Sequence, residues 1–243
     1  MRSKSIAIVL VLAIATLAMQ GMAAPIRYNF TTGPQASFST PDVVGKFAGP
    51  VTGSFVYDDL VPLTGQGASP AFAFLFASLY NGALTSITGA VDGRSFSDSA
   101  SGNVVVSNDA YLSPGAPPAT DILLLLADPF QVGPGIVHTL SGFDIAGLQL
   151  VNVRMFWNET LLGAPDFLTG DTLPAALPAF AGRLVLDFVP VGFVPGSAPV
   201  SPRTFAFFDG LIATRVPAPG ALSLLSAAVL AAFALGRRRA RRS

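Results

Sequence analysis

The chain has 243 residues, of which 51% are hydrophobic and only 12% are charged, and it contains no cysteine. The absence of cysteine excludes disulfides, thiolate metal sites and cysteine nucleophiles. The terminal segments 1–23 and 216–243 hold seven of the fourteen basic residues and no acidic residue, so the middle carries seven basic against fourteen acidic residues. A middle segment with a net charge of minus seven repels nucleic-acid phosphates, and we expect no nucleic-acid partner.

Residues 1–23 have the three-zone pattern of a secretory signal peptide. Two basic residues open the segment, an apolar run occupies positions 6–19, and small residues stand at positions 21 and 23. We predict that signal peptidase cleaves between Ala23 and Ala24. An uncleaved N-terminal anchor helix is the alternative, although the apolar run is short for a membrane span.

The segment 24–215 is predicted to be one domain of short strands separated by turns. Ile26 to Thr32 alternates apolar and polar residues, which is typical of a half-buried strand. Asp92-Gly93 is a hairpin signal, and Ile122 to Leu126 is a continuous apolar run that favours a buried strand. Many short strands with Gly- and Pro-rich turns predict an all-β fold, an antiparallel β-sandwich of the jelly-roll type.

Two later features concern the regularity of this domain. Leu148 and Leu150 share one parity, whereas Val151, Val153 and Met155 share the other, and such a phase change within a strand predicts a β-bulge. The Pro- and Ala-rich stretch 161–181 is predicted to be a long loop.

Catalytic groups are scarce in the middle segment. His138 is the only histidine and Glu159 is the only glutamate. One imidazole cannot build a multi-histidine metal site, and no nucleophile elbow of the Gly-x-Ser-x-Gly type is present. We therefore predict no catalytic residue and no enzyme activity.

Two ligand hypotheses rest on one or two side chains each. Asp58 and Asp59 lie near a predicted turn, where carboxylate oxygens suit calcium, but no EF-hand-type loop accompanies them. We expect no cofactor and no metal, with calcium at this pair as the alternative. Trp157 is followed by polar residues and is the candidate for stacking on a sugar ring, although rings in β proteins are more often in the core.

The segment 216–243 has three parts. It opens with Val216, Pro217, Ala218, Pro219 and Gly220. A short apolar stretch follows, which predicts a transmembrane helix over about residues 220–236 if flanking residues and arginines extend it. Arginines then cluster at positions 237–242, as Arg237, Arg238, Arg239, Arg241 and Arg242. The positive-inside rule keeps the arginines cytoplasmic, so everything before Pro217 would lie outside.

The order Pro-x-Pro-Gly, apolar helix, arginine cluster resembles the PEP-CTERM sorting signal. The resemblance implies that exosortase, a membrane-embedded protease-transpeptidase, recognises the tail, and that the protein associates with exopolysaccharide or a biofilm matrix. The usual middle glutamate of that signal is Ala218 here, so removal of the tail is left open. A plain C-terminal membrane anchor that is never cut is the alternative.

These features predict an exported structural protein of the cell surface or extracellular matrix. Its partners would be signal peptidase, exosortase, the inner membrane through the C-terminal helix, and exopolysaccharide. It would pass through a membrane-anchored precursor before reaching the surface. A carbohydrate-binding surface module and a secreted hydrolase are the second and third hypotheses.

Overall fold

A computed structural model describes residues 25–69, 72–99, 102–110, 120–127, 139–158, 166–193 and 203–217. These residues form eleven strands, and none of them belongs to a helix with the length and apolarity that a membrane span requires. The strands are β1 (Ile26–Thr31), β2 (Thr52–Tyr57), β3 (Gly65–Ser69), β4 (Phe72–Val91), β5 (Arg94–Asp98), β6 (Gly102–Ala110), β7 (Thr120–Leu126), β8 (Asp144–Ile145), β9 (Leu148–Asn158), β10 (Gly182–Pro190) and β11 (Thr204–Arg215). The predicted signal peptide and most of the predicted tail lie outside the described residues.

Eight of the strands close into an antiparallel barrel. Their order is β10-β11-β1-β2-β4-β6-β7-β9, and β9 pairs with β10 to complete the ring. The predicted all-β class is therefore right, but the predicted jelly-roll-like sandwich is wrong. Alternating strands give a buried face in both architectures. The two architectures differ in whether the two edge strands of the sheet pair with each other. That pairing is long-range, so local sequence patterns do not predict it.

β4 is a long strand that serves two pairs of neighbours. Its first half pairs with β3 and β6, and its second half pairs with β2 and β5. The pairing with β6 shifts between Asn81 and Leu84, and Gly82 has a φ of 87° at that point. A positive φ suits glycine because it has no Cβ. β2 and β3 therefore follow one edge of β4, joined by the loop of residues 58–64.

The predicted bulge in β9 is confirmed. Asp187 pairs with Asn152 and Phe188 pairs with Leu150, so Val151 has no opposite residue in β10. The extra residue reverses the facing of the strand. Leu150 and Val153 consequently both belong to the core cluster although their sequence parity differs.

Two further predictions about strands are confirmed. The turn between β4 and β5 is made by Asp92 (φ 49°) and Gly93 (φ 75°), the two positive φ values that a type I′ hairpin needs. β7 is buried along its whole length. Leu123 and Leu125 belong to the core cluster, whereas Ile122, Leu124 and Leu126 belong to a second buried cluster on the other face of the sheet.

The interior of the barrel is packed with side chains, and segments of the chain cover both ends. We call the end where β1 begins and β11 ends the terminal end, and the opposite one the distal end. At the distal end, Phe47 from the β1–β2 connection packs against Phe143, Phe188 and Phe208, with ring centroids 5.7–6.2 Å apart. At the terminal end, the segment 166–181 lies across the opening.

Candidate functional site: the terminal end of the barrel

The first and last strands of the barrel are neighbours at the terminal end. Tyr28 of β1 pairs with Arg215 of β11, and the Val216 amide donates to the Arg27 carbonyl oxygen at 2.8 Å. Pro25 and Pro217, which bound the described part of the barrel, therefore lie at the same end. Val216 and Pro217 are the only residues of the sorting motif that the structure describes. Ala218, Pro219, Gly220 and the arginine cluster lie outside the described residues, as do the signal-cleavage residues Ala23 and Ala24.

The segment 166–181, which we call the cap, is held by the polar tips of three core rings. The Tyr57 hydroxyl donates to the Pro174 carbonyl at 2.9 Å, and the Tyr80 hydroxyl donates to the Asp171 carbonyl at 2.7 Å. Tyrosine and tryptophan combine an apolar body with a polar tip, so they can fill a core and still bind a backbone carbonyl. Trp157, the third ring, donates from Nε1 to a cap carbonyl as well, at 3.2 Å. The predicted loop is thus confirmed for residues 166–181, and it covers the terminal end.

Two carboxylates fix the backbone of the cap. Asp121 at the start of β7 is 1% exposed, and its Oδ2 accepts the amides of Phe167 at 2.8 Å and Leu168 at 2.6 Å. Asp171 of the cap accepts the amide of Asn108 through Oδ1 at 3.1 Å. Backbone N–H groups offset the cost of burying a carboxylate. The five hydrophobic cap residues that pack on the core are Phe167, Leu168, Leu173, Leu177 and Phe180.

The two tyrosines that hold the cap are firmly protonated donors. Burial raises the pKa of the Tyr57 hydroxyl far above its usual range, and the nearby Asp59 carboxylate adds to the rise. Burial also raises the pKa of the Tyr80 hydroxyl, with Asp171 as the second cause. Both hydroxyls therefore keep their protons, and their bonds to the cap, under neutral conditions.

Trp157 does not fit its predicted role as a sugar contact. The residue is 0% exposed and belongs to the core cluster, where its indole N–H is satisfied by Phe180. A buried ring offers no face to a sugar. The sequence pattern was misleading because the polar residue that follows, Asn158, is itself only 2% exposed at the end of β9.

Asp58 and Asp59, the predicted calcium pair, stand at the start of the 58–64 loop. The Asp58 Oδ1 atom accepts the Leu60 amide at 3.0 Å, which is the common turn-forming role of aspartate. Within the described ranges, no group of three His, Cys, Asp or Glu residues is placed to hold a metal ion. His138 and Glu159 lie outside those ranges.

An ionic cluster on the outer wall was not predicted. Asp187 is 0% exposed, although its neighbours Leu186 and Phe188 face the core and it therefore faces outward. Arg154 donates to its Oδ1 from Nε at 3.1 Å and from Nη2 at 2.7 Å. Burial raises the pKa of Asp187, and Arg154 opposes the rise. The alternation of β10 indicated only an outward residue. Its contact with Arg154, which lies opposite Val185, depends on the register with β9.

A second group on the outer wall is partly exposed. Phe38 is 52% exposed and lies 5.2 Å from the Phe207 ring between centroids, while the Arg183 guanidinium sits 4.5 Å from the Phe38 centroid. Arg183 is in turn paired with Asp209 at 2.5 Å. We call Phe38, Arg183, Phe207 and Asp209 the aromatic–arginine patch. It combines an accessible ring with hydrogen-bonding groups.

Comparison of the chain with protein-family models, with curated proteins and with solved structures gives no match. The resemblance to the PEP-CTERM sorting signal therefore stays a prediction from the sequence motif.

Proposed function

We propose that this chain is an exported structural protein of the cell surface or extracellular matrix, delivered as a membrane-anchored precursor and sorted by exosortase. In this proposal signal peptidase removes residues 1–23, the helix at about 220–236 holds the precursor in the inner membrane, and the mature barrel associates with exopolysaccharide. In this proposal the barrel serves as a closed structural body.

The position of the barrel between the two predicted targeting segments carries the proposal. β1 begins at Ile26, three residues after Ala23, and β11 ends at Arg215, immediately before the Val216–Gly220 motif. Cleavage at either place would therefore leave all eight barrel strands intact. A chain without cysteine also needs no oxidising step to fold after export.

The intact mass of the protein recovered from its native host tests the proposal. We expect a mass that lacks residues 1–23 and the segment following the Pro217 region, together with recovery from the surface or matrix fraction. A Pro217→Ala, Pro219→Ala double variant and an exosortase-deficient host should both retain the tail. A full-length chain with both terminal segments in the cytosol would contradict the proposal.

The aromatic–arginine patch favours the second candidate, a carbohydrate-binding surface. Ring faces stack on sugars, and the Arg183 and Asp209 side chains could bind hydroxyl groups beside Phe38. Binding to a polysaccharide array should be lost in Phe38→Ala and retained in Ile212→Ala, which removes another exposed apolar side chain. Equal loss in both variants, or no binding by the unmodified chain, would remove this candidate. The third hypothesis, a hydrolase, has no observation that favours it, and we do not propose it.

A further inference from the structure

We propose that the loop of residues 58–64 rests on the lipid bilayer while the tail anchors the chain, with Leu60 and Leu63 in the headgroup region. The inference rests on the proposed function in one respect, because it requires the predicted tail helix to be in the membrane. The site itself is built from described residues at the terminal end of the barrel.

The loop begins beside the point where the tail leaves the barrel. Tyr57, the last residue of β2, pairs with Ile26 of β1, and on the other side of β1 the Val216 amide binds the Arg27 carbonyl. Neighbouring strands lie about 4.8 Å apart, so two strand spacings separate the loop from the tail by about 10 Å. Whatever surface holds the tail is therefore close to the loop.

The connection between barrel and anchor is short. β11 ends at Arg215, and the predicted helix begins at about residue 220. Five extended residues span at most about 17 Å, so the terminal end of the barrel cannot move farther than that from the bilayer surface. The distal end has no such restriction.

The loop holds two leucines away from the core. Leu60 is 61% exposed and Leu63 is 46% exposed, while Val61 between them packs against the core cluster. The Asp58 carboxylate accepts the Leu60 amide at 3.0 Å, and the Thr64 amide donates to the Leu79 carbonyl at 2.9 Å. Single exposed apolar residues are ordinary on a surface. Two of them on a loop that is fixed at both ends, beside a membrane anchor, match the chemistry of an interfacial contact.

The charges around the loop are mixed. Exposed Arg27 and Arg215 stand at the same end and suit lipid phosphates, whereas Asp58 and Asp59 are half-buried on the loop itself. We therefore expect the apolar side chains to carry the contact, with only a small dependence on anionic lipid.

Because the chain has no cysteine, single introduced cysteines can report the contact. The full-length chain would be reconstituted in vesicles of phosphatidylethanolamine and phosphatidylglycerol and labelled with an environment-sensitive fluorophore at Leu63→Cys, or at Leu60→Cys if the first variant does not fold. Val191→Cys is the matched control, because Val191 is 54% exposed and follows β10 at the distal end. Lipids with spin-labelled headgroups should quench the loop label at least about twofold more than the control label.

A label at Ala231→Cys, in the apolar run of the tail, separates the two proposals. If quenchers in the lipid tails reach position 231 but the loop label behaves like the control, the bilayer contact is wrong while the anchor stands. If position 231 stays outside the lipid, the proposed membrane-anchored precursor fails instead. The loop label could instead be shielded in native membranes but stay unquenched in vesicles that contain no other protein. That result would assign the loop to a protein partner and overturn the lipid contact.

Discussion

The indole N–H of Trp157 donates to the carbonyl oxygen of Phe180 at 3.2 Å, which ties the wall of the barrel to its cap. Phe180 also packs edge-on against Phe167 at the other end of the cap, with centroids 5.1 Å apart. The cap is therefore part of the hydrophobic core and not a loop laid over a finished barrel. Its stability should depend on the few polar atoms that join it to the strands.

The tyrosine hydroxyls that hold the cap should contribute measurably to stability. Tyr57→Phe and Tyr80→Phe each remove one bond to a cap carbonyl and should lower the unfolding free energy by about 0.5–1.5 kcal/mol. Tyr28→Phe is the matched control. The Tyr28 ring is 3% exposed, and within the part of the chain that the structure describes its hydroxyl has no hydrogen-bond partner, so its loss should be neutral or stabilising.

Chemical denaturation followed by fluorescence of Trp157, the single tryptophan, provides the measurement. A loss in Tyr28→Phe as large as in the other two variants would mean that the hydroxyl bonds to the cap contribute nothing specific.

High pH should loosen the cap. The folded state raises the pKa of Tyr57 and Tyr80, so it keeps protons that the unfolded chain loses near pH 10. Stability must then fall as pH rises above about 10, because the unfolded state binds fewer protons there. The near-ultraviolet absorbance of tyrosinate should rise late for these residues, together with the change in Trp157 fluorescence. Titration of all four tyrosines near pH 10 with unchanged tryptophan fluorescence would contradict this.

Gly182, at the start of β10, should not tolerate a side chain. A Cβ there would lie 2.7 Å from the Phe156 carbonyl oxygen and 2.8 Å from the Trp157 Nε1 atom. Gly182→Ala should therefore displace the indole, lower stability by about 1–3 kcal/mol and shift the tryptophan emission to the red. Gly170→Ala, within the cap, places its Cβ in open space and should be close to neutral. Equal effects of the two substitutions would show that the indole is not held against Gly182.

The outer-wall ion pair should give a pH-dependent stability. Arg154→Met leaves the Asp187 carboxylate buried without its closest cation and should cost about 3–5 kcal/mol at neutral pH. Because burial raises the Asp187 pKa, the folded state favours the protonated acid. Stability is therefore lost as pH rises from the ordinary aspartate pKa of about 3.9 through the raised folded value, and the deficit of the variant should shrink on acidification.

Unfolding free energies measured between about pH 4 and pH 8 check this sign. Arg183→Met is the control, since Asp209 is 46% exposed and its loss of a partner should cost no more than about 1 kcal/mol. A deficit in Arg154→Met that grows on acidification would contradict a raised pKa of Asp187 in the folded state.

Local periodicity was sufficient for several elements of this protein, although it did not predict β3, the first half of β4 or β8. Alternation placed β1 at Ile26, Asp92-Gly93 supplied the left-handed conformations of a hairpin, and a parity change in β9 predicted the bulge at Val151. Each of these depends on neighbours within a few residues, since side chains alternate with a period of two and turns need particular φ values.

Tertiary structure alone decided the closure of the barrel, the cap, and the burial of Trp157 and Asp187. Closure depends on the pairing of Arg183–Pro190 with Leu148–Phe156, and the sequence pattern of a strand is the same whether its edge is free or paired. The polar atoms of Tyr57, Tyr80 and Trp157 donate to carbonyl oxygens 23–117 residues away in the chain. No short sequence motif could therefore predict these hydrogen bonds. The position of a residue in the alternating pattern of a strand predicts which face of the sheet its side chain lies on. Only the tertiary structure determines which residues that side chain contacts.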